Sequence, residues 1–312
     1  MKVYSDPESF SGNNVTVTIG MFDGVHLGHA KLLQHLVQKA KENKGQSAVL
    51  SFWPHPRLVL NQEPESLQFI TTLEEKTKII SRFGIDHLIL IPFNKELASL
   101  TAERFIEDFL IDKIKMSHLV VGYNHRFGKD RLADFNVYTS LSKKLNFGIS
   151  RVDAVYMEGK AISSTVIRQL LNEGKIEEAR RMLGYDYSIY GTVTGGQRLG
   201  RRLGYPTANI RPNENYKLIP SSGVYACTIQ VMGKKYGGML NIGVRPTVDS
   251  NNELTIEAHI LDFNQDIYSE EVEVTFIKKI REEKKFDGVD GLIEQLHSDE
   301  VNIRNILRSL AL

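Results

Sequence analysis

The chain has one cysteine, Cys227, among its 312 residues. A single thiol cannot close an internal disulfide or supply a cysteine-based zinc site, and such usage fits a reducing compartment. Cys227 lies in the strand-like run Gly223 to Ile229, where a buried and inert thiol is expected. Charge imbalance is also missing: Lys plus Arg number 39 and Asp plus Glu 38, a formal charge of +1. Without a global field, neither nucleic acid nor an anionic membrane is an expected partner, and any phosphate recognition has to be local. No apolar run approaches membrane-spanning length, and Met1 to Pro7 lacks the apolar core of a secretion signal, so the expected location is the cytoplasm. Internal repeats and low-complexity segments are absent too.

What is present is enough chain for two ordinary domains, with the apolar and charged fractions of a soluble globular protein, 41% and 25%. Up to residue 184, short apolar runs (Ser47 to Trp53, His87 to Pro92, His118 to Gly122) alternate with helical patterns (Leu73 to Phe83, Ala102 to Ile111). That rhythm predicts an α/β domain, 1–184, built on a mainly parallel sheet covered on both faces. Its ligands are expected beyond the carboxyl ends of the strands. A helical piece, Ile176 to Leu183, stops at Gly184, a natural left-handed cap. From Tyr187 on, strands dominate: Ser188 to Thr194, Gly223 to Val231, Tyr236 to Ile242, Thr255 to Leu261 and Glu271 to Ile280. They predict a second domain, 185–312, as a small antiparallel barrel or sandwich, closed by a helical segment from Gly291 to Leu310.

The densest chemistry in the first half is Gly20-Met21-Phe22-Asp23-Gly24-Val25-His26-Leu27-Gly28-His29. Val15, Val17 and Ile19 alternate before it, and Leu32, Leu33, Leu36, Val37 and Ala40 recur at helical spacing after it, so it occupies a strand-to-helix loop. Free N–H groups and the positive end of a helix dipole attract phosphate there, and glycines let the backbone come close. His26 and His29 would project from nearly one side of the first turn, where imidazoles can donate to charge developing on phosphoryl oxygens. The plainer reading is an ordinary turn with surface histidines. Three further segments join it: Ser51 to Arg57, with His55 between two prolines; Val121 to Arg131, with Asn124, His125 and Arg126; and Ile162-Ser163-Ser164-Thr165-Val166-Ile167-Arg168. Ser164 and Thr165 are able to cap a helix, and Arg168 on the same turn makes a bidentate phosphate clamp.

In the second half, Gly191 to Asn209 is glycine-rich and basic but lacks the GK[ST] ending of a P-loop. Its glycines, among them Gly195 and Gly200, can offer N–H groups to a nucleotide, with Arg201 beside them. Thr207 and Asn209 each present an oxygen, and Mg²⁺ takes a few such ligands from protein and the rest from phosphate and water. Along Thr255 to Phe263, Ile256, Ala258 and Ile260 share one face and Glu257 the other. Asn241 to Thr247, with Arg245, and Arg281 to Phe286 are further polar segments.

The first loop resembles the GxFDGxHxGH signature of nucleotidyltransferases, and the later segments resemble, in order, the GxDFRFG-type loop, the ISSTxIR element, GRxLGxPTAN and TxExHxxDF. From about Val15 to Phe286 the chain is similar to the bacterial bifunctional riboflavin kinase/FAD synthetase family. His125 stands where that family usually has Phe. The resemblance implies a Rossmann-like nucleotidyltransferase domain that converts FMN and ATP to FAD and pyrophosphate, and a β-barrel riboflavin kinase domain that converts riboflavin and ATP to FMN and ADP. It implies Glu257 as the base that takes the riboflavin 5′-hydroxyl proton, and His26, His29 and Arg168 at the adenylyl-transfer centre. Gly20, Phe22, Asp23, Gly24, Ser164, Thr165, Gly195, Gly200 and Arg201 would bind ATP. Asn124, His125, Arg126, Arg245 and Arg281 would meet flavin, and Thr207 and Asn209 would meet Mg²⁺. No permanently bound organic cofactor is implied, and flavoenzymes would receive the FAD. Two other readings use the same residues: a family member with one surviving activity, or a flavin-responsive regulatory protein without turnover.

Overall fold

The computed structural model describes residues 1–54, 68–123, 125, 135–195, 200, 203–246 and 252–310, with backbone alone at 245–246 and 252–253. Its contacts divide into two compact units, Met1–Ser164 and Thr165–Leu312.

The first unit is built on six strands: β1 (Lys2–Tyr4), β2 (Val15–Ile19), β3 (Gln46–Phe52), β4 (His87–Ile91), β5 (Met116–Gly122) and β6 (Gly148–Val152). They lie in the order β1-β4-β3-β2-β5-β6, and every pairing is parallel. Alternate residues bury opposite faces, as the pleat requires. Val49, Leu88, Leu90 and Val120 pack with Leu33 and Leu36 of helix α1 (Leu27–Glu42), while Ala48, Leu50, Ile89, Leu119 and Val121 join a second core. Helix α2 (Leu73–Ser81) follows β3 in the chain, and α3 (Phe135–Leu145) buries Tyr138 in that second core. The run expected as one helix from Ala102 to Ile111 is instead a turn of α-helix, Ala102–Arg104, passing into a π-helical stretch, Phe105–Ile111. The wider winding lets Phe105, Ile106 and Leu110 all reach the core.

Strand order reverses at β2, with β3 and β4 on one side and β5 and β6 on the other. The crevice beyond the carboxyl ends of β2 and β5 is therefore the topological switch point, where open α/β sheets bind ligands. The loops that begin at Gly20 and at Tyr123 both leave the sheet there.

A short antiparallel pair, β7 (Tyr156–Met157) and β8 (Lys160–Ala161), ends the first unit. The second unit contains β9 (Ser188–Thr194), β10 (Ala208–Pro212), β11 (Gly223–Val231), β12 (Lys234–Pro246), β13 (Asn252–Ile260) and β14 (Glu271–Arg281). These strands close a barrel in the order β10-β13-β12-β11-β14-β9, with every pair antiparallel. Pairing of β9 with β10 makes it a barrel and not a sandwich. Tyr225, Cys227, Ile229, Leu240, Ile242, Ile256, Val274 and Phe276 fill the interior. Burial pushes the Cys227 thiol pKa far up, so the single cysteine is the inert thiol expected. On the outer wall, Val224, Ala226 and Met239 pack beneath Ile303 and Leu307 of a terminal helix.

Two helices precede the barrel in this unit, α4 (Ser164–Asn172) and α5 (Ile176–Leu183). Glu177 of α5 pairs with Lys278 of β14 at 3.2 Å, so the contact boundary falls ahead of the change of rhythm at 184. Gly184 ends α5 in the left-handed region, φ 82°. The terminal helix is α6 (Val289–Ser309). Among the described residues no helix is long and apolar enough to cross a membrane.

Candidate active sites

The loop between β2 and α1 is tightly bent. Phe22, Gly24 and Val25 have φ of 51°, 77° and 32°, and for Phe and the β-branched Val that conformation persists only where the surroundings over-determine it. Those surroundings are the start of α2. The Gly24 N–H donates to Thr71 Oγ1 at 3.0 Å, and the Thr71 N–H donates to Asp23 Oδ1 at 3.1 Å. Asp23, expected at ATP, thus spends its carboxylate on shaping the loop. Gly20 donates its N–H to the Leu50 carbonyl at the end of the sheet, and Ser164 Oγ, at the start of α4, donates to the Asp23 carbonyl at 2.8 Å.

His26 is the N-cap of α1. Its Nδ1 accepts the His29 N–H at 3.3 Å, which leaves the proton of a neutral ring on Nε2. The two imidazoles stack, centroids 3.8 Å apart and planes 15° apart, and the Phe22 ring lies 5.1 Å from His29. Burial lowers the His26 pKa to about 4. His29 is pushed well below the ordinary histidine value by burial, then by the charges of His26 and Lys76. Two stacked imidazoles in a dry site resist carrying two positive charges, so at neutral pH the pair is uncharged and offers N–H donors to an anion.

His125 is described, and burial lowers its pKa to about 4, so its ring is a neutral planar surface 6.4 Å from the Tyr138 ring. Thr165 is exposed and Arg168 half-buried on the turn of α4 that follows Ser164. Asn124, Arg126, Arg201, His55 and the Arg245 side chain lie outside the described residues. Gly195 follows β9 at the surface.

The barrel carries a cavity of about 280 Å³ on its outer wall. Asn209 of β10, Glu257 of β13 and Asn241 of β12 are direct cross-strand partners, so their side chains share the outer face a few ångströms apart. Thr207 Oγ1 lies 3.4 Å from Glu257 Oε2. Gly200, Leu203, Met239, Phe286, Leu292 and Leu296 add walls. One side is thus a row of oxygens and amides and the other is apolar, a suitable seat for a flat ring carrying a polar tail. A Cβ on Gly200 would stand 2.2 Å from the Tyr205 carbonyl oxygen, so this glycine is required by the close approach of backbone.

Arg281 also lines the cavity, but its guanidinium is engaged. Nε and Nη2 donate to the Asp299 carboxylate at 2.7–3.1 Å, and Gln295 Nε2 adds a bond to Asp299 at 2.9 Å. The residue expected at flavin therefore also ties α6 to β14. Asp299, Thr71 and Lys76 have no counterpart among the sequence expectations. Each is buried by neighbours distant in the chain, and a lone charged or hydroxyl residue in an otherwise polar stretch carries no signal of that.

Comparison with known proteins agrees with both halves. A family model described as FAD synthetase matches residues 9–166, and one described as riboflavin kinase matches 183–307. The bifunctional riboflavin kinase/FMN adenylyltransferase of Listeria monocytogenes is 38% identical over 95% of this chain and 94% of its own. That of Escherichia coli K12 is 36% identical over 92% and 91%. A crystal structure of a chain called a macrolide-efflux protein, from Streptococcus pneumoniae, superposes with a TM-score of 0.89 at 32% identity over 97% of this chain and 98% of that one. Two sites on two compact units, each matched by its own family model in the same order, lead to one assignment: the chain belongs to the bifunctional riboflavin kinase/FMN adenylyltransferase family.

Proposed function

We propose that the barrel transfers the γ-phosphoryl group of ATP to riboflavin, giving FMN and ADP, and that the α/β unit joins FMN to the adenylyl group of a second ATP, giving FAD and pyrophosphate. The observation that carries the reading is the outer row of the barrel, Asn209, Glu257 and Asn241, with Thr207 beside the carboxylate and an apolar wall facing it.

A ribityl 5′-hydroxyl is too weak an acid to attack unaided. In our reading Glu257 takes its proton as the oxygen attacks the γ-phosphorus, and ADP leaves with the bridging oxygen. The Thr207 hydroxyl, 3.4 Å from Glu257, and the Asn209 carboxamide are hard oxygen donors of the kind Mg²⁺ accepts, and two are enough when ATP and water complete the shell. Bound there, Mg²⁺ would neutralise charge on the phosphate oxygens. Gly200 brings backbone close to the nucleotide, and the Leu203, Met239 and Phe286 side exclude water from the ring.

In the α/β unit no protein nucleophile is needed. An oxygen of the FMN phosphate attacks the α-phosphorus of ATP, and the bond to the β-phosphate oxygen breaks. What the chain supplies is alignment and donors: the α1 N-terminus, the uncharged His26 and His29, and on α4 Ser164, Thr165 and Arg168 for the polyphosphate. His125 presents a ring face to the flavin. We place the functional boundary at Gly184, and the FAD product passes to flavoenzymes of the cytoplasm.

The test is a chromatographic time course of riboflavin with MgATP, run on wild type, Glu257→Ala and His29→Ala. Wild type should make FMN and then FAD, Glu257→Ala should convert only supplied FMN, and His29→Ala should stall at FMN. Flavin binding without either product from wild type would overturn the enzymatic reading.

A further inference from the structure

Lys76 sits where a lysine is seldom found. Only 4% of it is exposed, on the first turn of α2 just after the capping box of Thr72 and Glu75. Its ammonium donates to the Met21 carbonyl at 3.2 Å and to Ser51 Oγ at 2.9 Å, and Ser51 Oγ donates in turn to the same carbonyl at 3.4 Å. Met21 belongs to the β2–α1 loop and Ser51 to the carboxyl end of β3. With Thr71 holding Asp23 and Gly24, the start of α2 grips this loop at three points, Met21, Asp23 and Gly24, among the left-handed residues that lead into α1.

Hydrogen bonds alone do not explain a lysine at this position, because burying an ammonium is expensive and a neutral donor would serve the same carbonyl. Burial does lower the Lys76 pKa, to about 8, but the nearby Asp23 carboxylate opposes the shift and the amine remains charged at neutral pH. That charge reaches the catalytic pair, since it opposes protonation of His29. The groups facing His29 are His26 on its own helix, Phe22 in the loop and Lys76 from α2.

We propose that Lys76 is a positioning residue for adenylyl transfer, which holds the β2–α1 loop at Met21 and Ser51 and stands as a fixed positive charge behind the two histidines where the ATP phosphates bind. A charge already buried and already oriented needs no reorganisation when a polyanion arrives, and in a dry site it acts over a longer range than one on a solvated stem. It also adds to the burial that keeps the His29 imidazole neutral while the site is empty, so His29 meets the phosphates as an N–H donor. The proposal rests on the adenylyl-transfer reading of this unit.

Two substitutions separate the roles: Lys76→Met removes charge and donor at similar length, and Lys76→Gln keeps a donor without the charge. Both are measured on the full chain for FAD formation from FMN, for FMN formation from riboflavin, and for the titration of the His29 ring by NMR. Lys76→Met should lower FAD formation by about tenfold or more and leave FMN formation within about twofold of wild type. Lys76→Gln should recover part of kcat but keep a raised KM for ATP. In both, the His29 pKa should rise, because a repelling charge has gone. An unmoved His29 titration, or full FAD formation by Lys76→Met, would overturn the proposal. So would parallel loss of both activities in the two variants, which would mark a structural residue. Should wild type itself form no FAD, the reading of this unit fails, and the NMR titration still decides whether Lys76 acts on His29.

Discussion

Acid should unfold the Met1–Ser164 unit ahead of the barrel, and His26 allows the size of the effect to be worked out. Its pKa falls from 6.5 to about 4 on folding because the ring, 6% exposed, is taken from water. Above pH 6.5 the ring is neutral in both states and contributes nothing to the pH dependence. Between 6.5 and 4 the unfolded chain binds a proton that the folded chain refuses, so stability falls as pH falls, and the loss is complete below about 4. At about 1.36 kcal/mol per unit, His26 alone removes about 2 kcal/mol at pH 5 relative to pH 7.5, and about 3 kcal/mol by pH 4. His29 and His125, both lowered by burial, act in the same sense. Domains have only about 5–15 kcal/mol to lose. Trp53, the one tryptophan, follows β3 and reports on this unit. Urea unfolding followed by its fluorescence at pH 7.5, 6 and 5 gives the wild-type slope. His26→Asn keeps a side-chain acceptor at the N-cap but does not titrate, and should lose about 2 kcal/mol less between pH 7.5 and 5. Equal losses in the two proteins would refute the argument.

Removing the Asp299 carboxylate as Asp299→Ala leaves the mostly buried Arg281 guanidinium without its bidentate partner. Thermal unfolding should show a loss of about 3 kcal/mol, with weaker riboflavin binding because α6 supplies one wall of the cavity. Gly200→Ala would drive a methyl into the Tyr205 carbonyl, 2.2 Å away, so the backbone must shift. The KM for ATP in riboflavin phosphorylation should rise while FMN adenylylation is unaffected. Cys227, buried with its thiol pKa pushed up, should resist Ellman's reagent in the native protein and react at the rate of barrel unfolding. Fast native reaction would show that the barrel core is open.

The β2–α1 loop was legible because two periodicities meet at it, alternation up to Ile19 and helical spacing from Leu32, and nothing but a strand-to-helix connection satisfies both. The barrel strands were legible for the same reason, since Ile256, Ala258 and Ile260 can be buried together only in an extended chain. β10 was not. Pro206-Thr207-Ala208-Asn209 carries turn chemistry, and it is drawn into the sheet by pairing with β9 and β13, strands that come before and long after it. The three residues of β1 are too few to show a period. Lys76 looks like part of a solvated Glu-Glu-Lys face, and its burial depends on Met21 and Ser51. Arg281 reads as a surface cation until α6 returns to place Asp299 against it. Local pattern reveals the elements and the loops that join them. Charges whose partners come from another element stay hidden.

Along β13, inward residues fill the barrel and outward ones line the cavity, residue by residue. Ile256 and Ala258 can stay as they are while outward neighbours such as Asn241 and His259 are exchanged, so the cavity can change shape through single substitutions that leave the barrel interior alone. The α/β half has no such freedom. Its candidate site sits on a loop of left-handed residues, two stacked and dehydrated histidines and a buried lysine, where backbone strain and the burial of ionisable groups weigh against folding. A substitution there changes backbone strain, burial and the candidate site at once, so the two halves of one chain are open to change to very different degrees.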